Sequence, residues 1–362
     1  MMKLKSKLVL TLSIFLSACG GGSGGGTATA VSPGTASGSD GATQLACTNK
    51  FGRTWTAIDN DSSKPRVGYF SNVVYGNGVF LGGIKEYGYS LWSKDGENWT
   101  ISSPSAYHGS GVVTYALGKF ITLNRDSSGN LIVSSTTDGA SWDKKIIAQT
   151  SANSSSTLPS FYPSDLVSGN GRLIVVGSNN KIIWTTDSQT WNLAANINDL
   201  KVAKDYDFNW AAFAKGKFYT TTSADPRMLY VSTDGNIWQA QKISGDGVFP
   251  TAVITGMQYL NGLYIAVDAN GVIANSSDSV NWKTVLRGNM SPIIYGNQLV
   301  IGAGQVMTID YQKSYDYAEV AYSCDGVTWA KTKFESGNFI NTVAIGDNVA
   351  VRAGVRASFS KF

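Results

Sequence analysis

Residues 232–238, Ser-Thr-Asp-Gly-Asn-Ile-Trp, recur with variation along the chain at a nearly constant interval. Residues 93–99 and 323–329 are two further copies of the same motif. Seven tryptophans mark the repeat, 43 to 49 residues apart: Trp55, Trp99, Trp142, Trp191, Trp238, Trp282 and Trp329. An aspartate stands four residues before each of the last six. A fixed period in the forties is typical of repeat architectures in which each unit is one supersecondary element.

Each repeat unit reads as four short strands. In the first unit, residues 72–75 lead into the turn Gly76-Asn77-Gly78, residues 79–81 follow, and two further strands flank the turn at Asp95. Glycine and asparagine suit the positive φ of tight hairpins, and the segments between them are rich in β-branched and aromatic residues. The chain contains no amphipathic helical stretch. The pattern therefore predicts an all-β fold.

The number of inner hairpins predicts the number of blades. Seven such turns occur, at Gly78, Gly118, Gly171, Gly216, Gly262, Asn297 and Asp347. Six are followed by a complete aspartate–tryptophan unit, whereas the seventh stops one strand short at Phe362. Residues 52–58 carry Trp55 without a preceding hairpin and could supply that strand. Residues 45–362 are thus predicted to form a seven-bladed β-propeller closed by an N-terminal strand, which leaves no open sheet edges.

The N-terminus has the features of an export signal. Lys3, Lys5 and Lys7 precede an apolar run that is too short to span a bilayer. The run ends in residues 16–19, Leu-Ser-Ala-Cys, which resemble the lipobox of bacterial lipoproteins. The resemblance implies a signal peptide over 1–18, acylation of Cys19, including a palmitate-type chain, and, with Gly20 next, the outer membrane of a Gram-negative cell. An ordinary secretory signal is the alternative.

Residues 19–44 are predicted to be a lipidated cysteine followed by a flexible tether. They are mostly Gly, Ser, Thr and Ala, and such a chain has a mean reach of roughly 25–30 Å. Removing residues 1–18 lowers the formal net charge from +4 to +1. The near-neutral net charge of the remaining domain gives no reason to expect nucleic-acid binding.

Two cysteines remain after Cys19. Cys47 precedes the proposed closing strand, and Cys324 lies on the outer turn of the sixth unit. A pair of cysteines in an exported domain favours a disulfide. A Cys47–Cys324 bridge would join the ends of the ring and contribute about 4–5 kcal/mol by loop entropy. Two unpaired thiols are the alternative.

The repeated motif resembles the Asp-box, or BNR repeat, of the sialidase superfamily and related bacterial propellers. The resemblance covers six units and implies a structural role for six aspartates, which would accept N–H groups of their own turns: Asp95, Asp138, Asp187, Asp234, Asp278 and Asp325. Two copies, Asp187-Ser188 and Asp278-Ser279, lack the usual glycine. The repeat itself identifies no ligand, since propeller function lies on loops.

Most arginines are expected on the face opposite the Asp-box turns. The candidate ligand-binding arginines are Arg66, Arg125, Arg227, Arg287, Arg352 and Arg356. Guanidinium groups around a concave mouth could hold a carboxylate, sulfate or phosphate. Pairing with acids of the same loops is the alternative. The long segment 305–319 adds three further candidates for sugar or protein binding, Tyr311, Tyr315 and Tyr317, unless that loop folds over its own blade.

The sequence favours a binding module over an enzyme. His108 is the single histidine, so a histidine-rich metal site is excluded, and neither catalytic residues, a metal nor a cofactor is predicted. A sialidase-like glycosidase or lyase remains the alternative; it would need an arginine triad and a tyrosine nucleophile. The prediction is a membrane-tethered, non-catalytic binding or assembly module of the cell envelope. Its partner would be a protein or glycan met through the loop face, with the domain in the periplasm or outside the cell.

Overall fold

The computed structural model describes most of the chain after residue 55. The described residues are 56–58, 72–84, 89–102, 112–148, 158–159, 161–200, 206–222, 224–287, 290–293, 300–306, 317–323, 325–335, 340–354 and 357–361. The predicted signal peptide, the tether and Cys19, Cys47 and Cys324 lie outside these residues.

The described strands form seven sheets, numbered here in chain order. A short strand β1 (Thr56–Ala57) comes first. Sheets 1 to 3 are β2 (Asn72–Gly76), β3 (Val79–Ile84), β4 (Tyr89–Ser93) and β5 (Thr100–Ile101); β6 (Val112–Ala116), β7 (Lys119–Arg125), β8 (Leu131–Thr136) and β9 (Asp143–Ala148); β10 (Pro163–Gly169), β11 (Arg172–Gly177), β12 (Lys181–Thr185) and β13 (Asn192–Leu193). Sheet 4 is β14 (Phe208–Ala214), β15 (Lys217–Thr222), β16 (Met228–Ser232) and β17 (Gln239–Lys242).

The second half of the chain repeats this plan, except that sheet 5 has an additional strand and that β1 joins sheet 7 from the N-terminal end of the chain. Sheet 5 contains β18 (Ser244–Gly245), β19 (Ile254–Leu260), β20 (Leu263–Asp268), β21 (Ile273–Ser276) and β22 (Asn281–Leu286). Sheet 6 contains β23 (Met290–Ile293), β24 (Val300–Val306), β25 (Tyr317–Ser323) and β26 (Ala330–Glu335). Sheet 7 contains β27 (Ile340–Ile345), β28 (Val349–Gly354) and β29 (Ser358–Lys361).

Apart from β1 and β18, the successive strands of each sheet pair antiparallel as a meander. The hairpin between β2 and β3 shows why, because Asn77 and Gly78 have φ of 49° and 73°. Two adjacent residues with positive φ make the type of turn whose twist matches that of the flanking strands.

Neighbouring sheets stand face to face. One edge strand of each sheet contacts the corresponding strand of the next, in the order β2, β6, β10, β14, β19, β23 and β27, and β27 of sheet 7 contacts β2 of sheet 1. Hydrophobic clusters fill the spaces between sheets: Leu81 of sheet 1 packs with Val113 and Phe120 of sheet 2. Another cluster joins Val351 of sheet 7 to Phe80 of sheet 1. The core is therefore divided into wedges between neighbouring sheets, as in a β-propeller.

The N-terminal strand lies on the outer edge of sheet 7. Thr56 stands opposite Phe359 and Ala57 opposite Ser358 in an antiparallel pair with β29. The amide of Ile58 continues the ladder by donating to the Ala357 carbonyl at 3.0 Å. The Ile58 side chain is buried in the cluster between sheets 7 and 1.

The predictions of an all-β chain and of a propeller are confirmed. Among the described residues there is no α-helix, and a single 3-10 turn spans Ile197–Leu200. None of the described segments is a helix long and apolar enough to cross a membrane. The fifth strand of sheet 5 was not predicted: β18 pairs in parallel with β22 on the outer edge, Ser244 opposite Asn281.

Candidate functional site: the loop face

Six aspartate turns connect the third and fourth strands of sheets 1 to 6 in one geometry. Each aspartate accepts two backbone N–H groups from the residues two and three positions later, at 2.7–3.1 Å. A serine or threonine two residues earlier donates its hydroxyl to the same carboxylate at 2.9–3.1 Å. In three turns the closing tryptophan donates Nε1–H to a carbonyl of the turn, as Trp238 does to Gly235 at 2.9 Å. All six carboxylates are thus engaged in holding their own turns.

The hydrogen bonds stabilise the charged form of these aspartates. Burial raises the pKa of Asp95, but the N–H groups of Asn98 and Glu97 outweigh burial and lower that pKa to about 2. The backbone N–H groups of Thr190 and Gln189 likewise lower the pKa of Asp187 to about 2. The same bonds lower the pKa of Asp278 below its ordinary range. A carboxylate that accepts several N–H groups stays ionised for this reason.

Each aspartate turn packs on the preceding sheet. A Cβ added at Gly139 of sheet 2 would lie 2.7 Å from the Cβ of Trp92 in sheet 1. Arg172, in the first turn of sheet 3, donates to the Asp234 carbonyl of sheet 4 and lies 4.3 Å from the Trp184 ring centroid. The inner hairpin turns and the aspartate turns therefore share one side of the ring, here called the aspartate-turn face. Antiparallel strands place the remaining connections on the other side, the loop face.

Aspartates also organise the loop face, but each in a different way. Asp126 holds the loop after β7 by accepting from Asn130 N at 2.8 Å. Asp268 accepts from Thr251 N at 2.8 Å and Val272 N at 2.9 Å, which joins two loops of sheet 5. Asp246 accepts from Thr284 N at 2.8 Å and fixes the segment that carries β18. The loops are held by local hydrogen bonds rather than by a repeated motif.

The predicted arginines have different environments in the structure. Arg227 and Arg287 are exposed on loops of sheets 4 and 5. Arg125 lies partly buried at the end of β7, where its guanidinium carbon is 4.2 Å from the Tyr162 ring centroid. Arg352 is only 7% exposed, donates Nε–H to Ser358 Oγ, and has its pKa lowered to about 10 by burial. These positions place Arg125, Arg227 and Arg287 on the loop face, while Arg352 packs within sheet 7.

Most of the other predicted ligand-binding residues lie in parts of the chain that the structure does not describe. Arg66, Arg356, Tyr311 and Tyr315 lie outside the described residues. Tyr317 begins β25. Their proposed role in binding stays a prediction.

Two tyrosines that the sequence reasoning missed are exposed on the loop face. Tyr162 is 63% exposed and Tyr206 is 38% exposed. Each lies just before the first strand of a sheet, at β10 and β14 respectively. The sequence signal for each is an aromatic residue close to a phenylalanine of the hydrophobic core: Tyr162 follows Phe161, and Tyr206 stands two residues before Phe208. Neither tyrosine belongs to the four strands of its unit.

Asp165 is a third missed residue, and it joins the inner strands of sheets 3 and 4. Its carboxylate accepts from Ala211 N of sheet 4 at 2.9 Å and from Leu166 N at 2.8 Å. Both strands are irregular there, with register shifts between Pro163 and Asp165 and between Phe208 and Ala211. Burial raises the pKa of Asp165 to about 6 despite these bonds. The bulges turn backbone N–H groups towards a neighbouring sheet.

No group of three or more His, Cys, Asp or Glu side chains that could hold a metal ion occurs among the described residues. Exposed side chains of the loop face within the described ranges include Tyr162, Asn179, Arg227 and Asp246.

The comparisons with known proteins identify a shared fold. No protein family model matches the chain, and no curated protein matches it. The chain is similar in structure to virginiamycin B lyase from Staphylococcus aureus, at TM-score 0.60 and 9% identity, over 85% of this chain and 99% of that one. YCF48 bound to a D1 peptide has TM-score 0.57 and 15% identity, over 85% and 95% of the two chains.

PorZ, a bacterial surface component of the type-IX secretion system of Porphyromonas gingivalis, has TM-score 0.54 and 10% identity. That match covers 83% of this chain and 37% of PorZ. At such identities the likeness concerns architecture alone. The three matches agree with the face-to-face antiparallel sheets, and the fold of this chain is that of the β-propellers.

Proposed function

We propose that the chain is a non-catalytic binding or assembly module of the bacterial cell envelope, tethered to the membrane and recognising a protein or glycan through its loop face. The observation that carries this proposal is the contrast between the two faces. On the aspartate-turn face the carboxylates are engaged in six nearly identical turns, whereas the loop face displays Arg227, Arg287, Tyr162 and Tyr206 to solvent.

Hydrogen bonds fix several segments of the loop face. Asp126, Asp246 and Asp268 hold loop-face segments through backbone N–H groups at 2.8–3.0 Å. Side chains displayed on such a fixed frame lose little conformational freedom on binding, which favours affinity. Two proteins of the same fold give a precedent for this use: YCF48 was solved with a bound peptide, and PorZ is a surface component of a secretion system.

The proposed architecture is a closed ring of seven blades. Three observations support it: seven sheets are formed by the described strands, β27 contacts β2, and β1 pairs with β29. Contacts between side chains of sheets 7 and 1 add to this support, since the Tyr75 hydroxyl donates to Asp347 at 3.0 Å and Lys361 Nζ lies 2.7 Å from Glu97. In this proposal the strand at residues 56–57 is the fourth strand of the last blade.

The proposed anchor is a lipid on Cys19, followed by the tether over residues 19–44 and the propeller over residues 45–362. It rests on the basic start, the short apolar run and the lipobox-like residues 16–19. A Cys47–Cys324 disulfide belongs to the same proposal, because β1 follows Cys47 within ten residues and β25 ends next to Cys324. The outer membrane is the proposed location.

Site-specific photo-crosslinking in cells tests the binding face. A photoreactive amino acid is placed at Arg227 or Arg287 on the loop face, and at Ile237 or Val327 on the aspartate-turn face as matched exposed controls. We expect discrete adducts from the loop-face positions alone. Adducts from the control positions alone, or from none of the four, would refute recognition through the loop face.

A further inference from the structure

Tyr162 is an exposed aromatic ring that the fold holds in one orientation. Its side chain is 63% exposed although it follows Phe161, which is 1% exposed and belongs to the core between sheets 2 and 3. An isolated exposed tyrosine would be unremarkable on most surfaces. The surroundings of this ring distinguish it.

Two neighbouring sheets fix Tyr162 in place. Its amide donates to Ser178 Oγ at 2.8 Å, and its carbonyl accepts from Ser178 N at 2.9 Å, so the backbone is tied to sheet 3. The ring is held by sheet 2, since the Arg125 guanidinium carbon lies 4.2 Å from the ring centroid. Arg125 is itself oriented by donating Nε–H to the Gly129 carbonyl at 3.0 Å. The ring is therefore pre-organised before any ligand arrives.

The Arg125 guanidinium determines which ligands can bind the exposed part of the Tyr162 ring. A cation over an aromatic face is attracted by the negative charge of the π system, and a ring already in contact with one cation attracts a second cation less strongly. A ligand lysine, arginine or quaternary ammonium group is thereby disfavoured. A neutral ligand with a flat surface of C–H groups suits the remaining exposed surface, and the axial C–H face of a pyranose ring is such a surface.

A turn with polar side chains connects the segment of Tyr162 to that of a second exposed tyrosine. Ser178 begins the turn from β11 to β12, in which Asn179 and Asn180 have φ of 57° and 55°. Asn179 is exposed, and its backbone N–H donates to Asp207 Oδ1 at 2.9 Å, next to Tyr206. The turn thus links the segment of Tyr162 to that of Tyr206, which is 38% exposed. Aromatic rings on either side of an amide-bearing turn match the alternation of apolar faces and hydroxyls in an oligosaccharide.

We propose that Tyr162, with the turn at residues 178–181 and Tyr206, forms a binding site for neutral oligosaccharides. Tyr162 stacks on one pyranose ring, Arg125 sets the orientation of the platform, and Tyr206 contacts a sugar further along the chain. This inference rests on the proposed function, because it assigns the partner of the loop face to the glycan class. It adds the residues and the chemistry of one subsite.

Titration of the whole protein with maltohexaose, cellohexaose and hexa-N-acetylchitohexaose, followed by calorimetry and saturation-transfer NMR, tests the site. We expect at least one of them to bind and Tyr162→Ala to weaken that binding by about tenfold or more. Tyr162→Phe keeps the ring and should stay within about threefold of the parent, whereas Arg125→Ala should weaken binding by a smaller factor than Tyr162→Ala. Ile237→Ala on the aspartate-turn face is the control and should leave binding unchanged.

Two results would overturn this site: none of the three sugars binds the parent protein, or binding survives Tyr162→Ala. Thermal unfolding of each variant separates loss of the platform from loss of the fold. The photo-crosslinking experiment distinguishes the two proposals. Loop-face adducts to a protein together with no sugar binding would remove the oligosaccharide site and keep the binding module.

Discussion

Substituting alanine for two glycines of sheet 2 measures how tightly an aspartate turn packs on the preceding sheet. Gly118 and Gly139 have nearly the same φ, +76° and +77°. A Cβ at Gly118 meets nothing within 4 Å. A Cβ at Gly139 would lie 2.7 Å from the Cβ of Trp92 and 3.4 Å from Cδ1 of Leu81. The two substitutions therefore share backbone strain and differ in packing.

The expected free energies follow from these contacts. The left-handed conformation costs alanine about 1–2 kcal/mol, and the reduced freedom of the unfolded chain offsets about 0.4–1 kcal/mol of this. Gly118→Ala should thus destabilise the protein by about 0.5–1 kcal/mol. Gly139→Ala adds overpacking against a Cβ near the backbone, which typically costs about 1–3 kcal/mol. Its total effect should be about 2–4 kcal/mol.

Urea unfolding followed by tryptophan fluorescence gives the free energy of unfolding of the parent and both variants. A difference of about 1–3 kcal/mol between the two variants supports the packing of the Asp138 turn on sheet 1. If both variants lose the same stability within about 0.5 kcal/mol, the contact between the turn and Trp92 contributes nothing and the reasoning fails. Ser188 and Ser279 occupy the corresponding position of two other turns with φ of 61° and 64°, so Gly139→Ser should resemble Gly139→Ala in its backbone strain.

Two further predictions concern pH. The pKa of Asp95 is lowered from 3.8 to about 2. Because this group is exposed, solvent screening limits the resulting stabilisation of the folded state to about 1 kcal/mol. That stabilisation is present above pH 4 and is lost as the pH falls towards 2. Asp95→Asn should therefore lower the urea midpoint at pH 7 and approach the parent near pH 2, and a constant difference would contradict this. Burial raises the pKa of Asp165 to about 6, so its ionisation lowers stability as the pH rises from about 4 to 6. Asp165→Asn should flatten that segment of the stability curve, and an unchanged slope would contradict the assignment.

The repeated part of the fold could be predicted from sequence because each unit encodes it locally. The aspartate, the hydroxyl two residues before it and the closing tryptophan lie within seven residues, and their hydrogen bonds form inside that segment. The inner hairpins are equally local, as at Asn77 and Gly78. Strand β18 could not be predicted in this way. It consists of Ser244 and Gly245, and its partner β22 begins nearly 40 residues later.

The loop face was predicted less completely because its side-chain contacts follow no repeated motif. The sequence indicated that arginines gather on this side, and the structure places exposed Arg227 and Arg287 there. It also buries Arg352 in sheet 7, since the side chain lies on a strand facing Ser358 rather than beyond the end of that strand. A count of arginines per loop carries no information about which way a side chain at the end of a strand points.

Tyr162 shows most clearly why the repeat motif could not predict the whole candidate site. Its ring is oriented by Arg125 of one sheet, and its backbone by Ser178 of the next. Neither contact is part of the repeated pattern, and the contact with Arg125 requires sheets 2 and 3 to stand at a fixed distance. The six aspartate turns supply that distance, because each packs its own sheet against the preceding one. The aspartate-turn face therefore maintains the spacing between sheets on which the loop face depends. Substitutions in the aspartate turns of sheets 2 and 3 should disturb the orientation of the Tyr162 ring although they do not contact it.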